Sequence, residues 1–117
     1  MSQEMKAVDF IFKSSSSLNK FMYYLDYENN IFNYHKINLN ELSSGEKAAL
    51  AWAKAIWSGE VDKNMVDLMT GFSLLDRNIK IAIVVAMDLA HEISKPEDQM
   101  NQYPVLQIIQ REKRFLN

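Results

Sequence analysis

His91-Glu92 opens like the H-E-x-x-H helix, which holds zinc between two imidazoles one turn apart. Position 95 is a lysine, however, and His35 is the only other histidine in the chain. Nothing in their spacing brings the two imidazoles to one metal, so no metal ligand is assigned. Serine hydrolysis needs a nucleophile on a sharp turn with a base beside it. Ser73 sits in Gly71-Phe72-Ser73-Leu74-Leu75, which lacks the second glycine of the G-x-S-x-G elbow. Glu28, Glu41, Glu46, Glu60 and Asp62 fall at expected loops and helix starts, where capping and solvent account for them. With no cysteine, thiolate nucleophiles, disulfide frameworks and thiolate zinc sites are excluded. No catalytic residue or cofactor is expected, and the residues favour a non-enzyme without closing the enzyme question.

Leu42-Ser43-Ser44-Gly45-Glu46-Lys47 fits a capping box, with Ser43 as N-cap and Glu46 reaching back. The same segment resembles the signature motif of ABC-type ATPases, and the alanine-rich run after it and Leu74-Leu75-Asp76 extend the likeness. In that family the serine and the helix N-terminus contact a γ-phosphate held by a partner subunit. The resemblance therefore makes Ser43, Ser44 and Gly45 an anion-binding candidate. No G-x-x-x-x-G-K-[ST] loop accompanies it, and Arg77 follows Asp76 where those ATPases carry a glutamate. The chain is also shorter than their nucleotide-binding fold. Helix capping is the expected role of this segment.

The aromatic residues form the most unusual cluster. Of 13 in the chain, eight precede residue 35, among them Tyr23, Tyr24, Tyr27 and Tyr34. Base-stacking platforms for single-stranded nucleic acid combine such rings with a positive groove. Here Asp26 and Glu28 are interleaved with Lys20 and Lys36, and the net charge of −2 gives no broad attraction to polyanions. Two explanations compete. Phenylalanines fill a core while tyrosines rim it with hydroxyls in water, or several tyrosines face outward as a protein-binding patch. Tyr23, Tyr24, Tyr27 and Tyr34 are the interface candidates.

Three glycines and two prolines in 117 residues favour helices over turn-rich β folds. From Ser43, Ala49, Trp52, Ala53 and Ile56 recur at helical spacing, and Gly59 is placed to end that helix with a positive φ. Asp62 is expected to cap a shorter helix through Met65, Val66, Leu68 and Met69, closed by Gly71. Asp76 is the expected N-cap of a helix to about Ile93, apolar on nearly all sides and therefore central. Pro104 opens an amphipathic segment through Val105, Ile108, Ile109, Phe115 and Leu116.

The first third reads less clearly. Leu18, Phe21, Met22 and Leu25 give a helix from Leu18 to about Tyr27, with Ser16 or Ser17 as cap and a short turn near Leu39–Leu42 after it. The alternative is a hairpin over 21–37 turning at Asn29-Asn30, which pairs Tyr27 with Phe32 and Leu25 with Tyr34.

The longest apolar run, Ile81 to Met87, is too short to span a bilayer. The N-terminus lacks the uninterrupted apolar region of a signal peptide. A soluble, cytoplasmic protein without a membrane partner is expected. The fold expectation is all-α, a single domain over 1–117 with four or five short helices and an aromatic-rich, less regular N-terminal third. The function expectation is a small non-catalytic protein-binding domain, an inhibitor, immunity or adaptor protein of bacterial or phage type, with a homodimer through the same patch as a variant. The alternative is a ligand-binding or catalytic helical protein whose site comes from residues distant in sequence.

Overall fold

The computed structural model describes residues 1–61 and 65–91. Among them the architecture is mostly helical, with one two-stranded hairpin. The first helix, α1 (Gln3–Lys13), starts where the Ser2 hydroxyl accepts from the Met5 backbone N–H at 3.0 Å, satisfying one of the orphan donors of a helix start. Met5, Val8, Ile11 and Phe12 line its fully buried face. A 3-10 turn at Asn19–Tyr24 follows, then the hairpin strands β1 (Leu25–Asp26) and β2 (Ile31–Phe32), and further 3-10 turns at Tyr34–Lys36 and Leu39–Glu41.

The second helix, α2 (Ser44–Ser58), begins in the expected capping box and ends at Gly59, whose φ of 75° lies in the left-handed region. Ala49, Trp52, Ala53 and Ile56 are buried, as their spacing predicts. The third, α3 (Met65–Phe72), crosses close to α2. A Cβ on Gly71 would stand 3.2 Å from the Ala48 Cβ, so two small residues set the approach of these helices. Trp52 fixes the pair further, its Nε1 donating to the Leu68 carbonyl at 2.9 Å. The fourth, α4 (Arg77–His91), buries Ile79, Ala82, Ile83, Val85 and Ala86. It makes its most extensive contact with α1, and both of these helices also pack on α2.

Among the N-terminal aromatics, three phenylalanines form a buried cluster. Phe12, Phe21 and Phe32 are buried and their rings meet at 5.5 and 5.6 Å. This cluster ties α1, the first 3-10 turn and the hairpin into one core.

Several expectations need correction. The N-terminal segment, given no element from sequence, is the full helix α1. The helix expected from Leu18 to Tyr27 is a 3-10 turn that stops at Tyr24, and no side chain of Ser16 or Ser17 caps it. The alternative hairpin exists, but its register pairs Leu25 with Phe32 and Asp26 with Ile31. The turn takes residues 27–30: Asp26 Oδ1 and Oδ2 accept from the Asn29 backbone and side-chain nitrogens, and Asn30 adopts a φ of 56°. Asn tolerates that conformation better than most side chains. Gly71 does not close α3, which continues through Phe72. The turn near Leu39 is present. Asp62, Ile93 and the segment from Pro104 lie outside the described residues.

Candidate interaction surface

The chain between the hairpin and α2 crosses the surface as two short 3-10 turns, and Ile37 between them points inward. On each side of Ile37 the surface opens into a cleft. The first, of about 320 Å³, lies between the Asn19–Tyr24 turn and the 38–42 segment, walled by Tyr23, Tyr24, Lys20, Glu41 and Leu42. The second, of about 330 Å³, lies between the 34–39 segment and the outer face of α2, with Tyr34, His35, Leu39, Lys47 and Lys54 around Leu50 and Ala51. A third, of about 330 Å³, continues along α2 toward α3 past Lys54 to Glu60 and Asp67.

The four tyrosines singled out from sequence take three different situations. Tyr23 is 87% exposed, and its ring meets the half-buried Tyr24 edge to face at 5.3 Å. Tyr34 stands between Phe32, 5.4 Å away edge on, and the Lys54 ammonium, 4.8 Å from its ring centre. That is cation–π geometry. Tyr27 is 39% exposed but tethered, its hydroxyl donating to Asp9 Oδ1. Tyr23 and Tyr24 thus flank the first cleft and Tyr34 the second, while Tyr27 lines neither.

The start of α2 is occupied by its own side chains. Ser43 Oγ accepts from the Glu46 N–H at 3.1 Å, and Glu46 Oε1 accepts from the Ser43 N–H at 3.2 Å. The second Glu46 oxygen pairs with Lys20, which belongs to the first 3-10 turn. The Lys20 ammonium, then the Ser43 backbone N–H, hold the Glu46 carboxyl below the usual carboxylate range. A carboxylate of the protein itself therefore takes up the Ser43 backbone donor of the Ser43, Ser44 and Gly45 segment.

Sequence reasoning missed Leu39, 53% exposed at the edge of the second cleft. It also missed the Lys47, Leu50, Ala51 and Lys54 face. Those four residues recur at helical spacing, a signal that was present in the sequence. No group of three or more His, Asp or Glu side chains among the described residues is arranged to hold a metal. No described helix is long and apolar enough to cross a membrane. Comparison with protein-family models, with curated proteins and with solved structures finds no match to this chain.

Proposed function

We propose that this chain is a small protein-binding domain without catalytic activity, engaging its partner through the two clefts that share Ile37. The single observation that carries the reading is Tyr23, a large aromatic ring almost wholly in water beside the first cleft. Leu39 stands exposed beside the second. Exposed tyrosine gives large rigid contact area at low entropic cost, and such rings are enriched among binding hot spots. A catalytic reading has less support, since none of the three clefts brings a serine together with a histidine among the described residues. An inhibitor, immunity or adaptor role, in a reducing cytoplasm where a cysteine-free chain is at home, is the corresponding biological setting.

The test places a photo-crosslinking amino acid at position 23 in cells, with the crosslinked species identified by mass spectrometry. The reading expects one dominant protein partner, and its binding to the purified chain should weaken in Tyr23→Ala. Crosslinks no more specific than those from exposed Lys6 on α1 would remove it.

A further inference from the structure

The second cleft has the chemistry of a half-site. Its floor is apolar, made by Ile37, Leu50 and the Cβ of Ala51, with the Tyr34 ring and exposed Leu39 as walls. Its polar rim carries two cations, Lys47 and Lys54, two turns apart on α2, with the His35 ring of the 34–36 turn lining the same cleft. Neither lysine makes an ion pair with a described residue, and no described carboxylate lines this cleft. Ala51, between the two lysines, keeps the middle of the helix face low, so a side chain can enter without displacing anything.

We infer that this cleft receives a short segment of a partner protein in which an acidic side chain adjoins a large apolar one. The apolar group fills the space over Leu50 and Ala51, and the carboxylate meets Lys47 and Lys54. The inference rests on the protein-binding reading above and names the chemistry of the partner. Charge complementarity selects the occupant. An apolar anchor provides burial, while two lysines on a partly apolar rim favour an anion over a neutral or basic neighbour. Of the chain's own segments, 104–117 fits poorly, because Arg111, Lys113 and Arg114 outnumber Glu112 there, whereas 92–103 carries Glu92, Glu97 and Asp98 and is told apart by a crosslink from Ala51.

The experiment selects a display library of random short peptides against the full chain. Enriched peptides are then measured on wild type, on the Lys47→Glu and Lys54→Glu variants, and on the milder Lys47→Gln and Lys54→Gln variants, with circular dichroism as the folding check. The expected result is enrichment of Asp or Glu next to Leu, Phe or Trp. Affinity should fall about tenfold or more on charge reversal and decline with added salt. Neutral or basic consensus sequences, equal binding to the reversed variants, or no enrichment would overturn the inference. If the enriched peptides instead depend on Tyr23 and ignore the lysines, the protein-binding reading stands and this assignment falls. A photo-crosslinker at Ala51 separates the other occupants. Crosslinks to residues 92–117 of the same chain, or to a second copy, would also overturn it.

Discussion

The Tyr27 hydroxyl donates to Asp9 Oδ1 at 2.5 Å, fastening the hairpin turn to α1 across 18 residues of sequence. The other Asp9 oxygen pairs with Lys13 at 2.9 Å, one turn further along the same helix. A carboxylate that is mostly buried thus has partners on both oxygens, which offsets the cost of desolvating it. Of the four tyrosines read from sequence as interface candidates, Tyr27 is the one whose hydroxyl bonds to another described side chain.

Tyr27→Phe should therefore cost about 1–2 kcal/mol, the range for a hydrogen bond to a charged acceptor reduced by partial exposure. Burial, then the hydrogen bond to Asp9 and its charge, push the Tyr27 phenol well above its usual range. A raised folded-state value means its stabilisation is complete below the ordinary tyrosine range, about pH 10, and declines as pH rises beyond it. Denaturant melts of both proteins should show the gap between wild type and Tyr27→Phe narrowing as the pH passes 10. A gap that widens there would contradict the assignment.

Ser43→Ala should destabilise the fold by about 1 kcal/mol, the usual value of an N-cap. Glu46→Gln should show a distinct pH signature. The Glu46 carboxyl is held low in the folded protein, so its contribution is present above the unfolded glutamate range and is lost as pH falls through the folded value. Wild type should lose stability between about pH 5 and pH 3 more steeply than Glu46→Gln. Parallel acid limbs in thermal melts would show that the Lys20 and Ser43 contacts add nothing in solution.

Gly71→Leu should drive α3 off α2, because even a Cβ there would crowd Ala48 at 3.2 Å. Overpacking of this kind costs about 1–3 kcal/mol. The displacement should also lengthen the bond from Trp52 Nε1 to the Leu68 carbonyl. A red shift in native tryptophan emission is the expected sign of it. An unshifted spectrum with wild-type stability would show that the helices have room to spare.

The parts of the fold legible in the sequence are those with punctuation. Ser43 with Glu46 at one end of α2 and Gly59 at the other mark it by local chemistry alone. In α1 the apolar residues are interrupted by Glu4, Lys6 and Asp9, and Asp9 is buried where, beside Lys13 one turn along the same helix, Tyr27 reaches it from the hairpin turn. No local pattern foretells that. The aromatic stretch after Leu18 fits both a helical and an alternating period, and the outcome is a 3-10 turn followed by a hairpin. Its register was displaced by two residues because Asp26 and Asn29 close a four-residue turn instead of a tight one. The same limitation applies to the surface. Tyr23 and Tyr24 are adjacent and chemically identical, and only the 3-10 geometry decides that one faces water and the other the core.

That difference gives the last prediction. Tyr23→Ala removes a ring that is 87% exposed, so its melting behaviour should stay within about 0.5 kcal/mol of wild type. Tyr24→Ala removes a half-buried ring packed against the core and should cost about 1–3 kcal/mol of folding stability. In partner binding the order reverses. Tyr23→Ala should lose about 2 kcal/mol or more, the scale of a hot spot, while Tyr24→Ala acts mainly through the ring it supports at 5.3 Å. Tyr23→Phe keeps the ring and its edge-to-face contact, so it should retain most of the affinity if buried area is what matters. Melts and affinities on the three variants separate these cases. A Tyr23→Ala protein that melts early would show the ring is structural, and one that binds like wild type would place the interface elsewhere on the molecule.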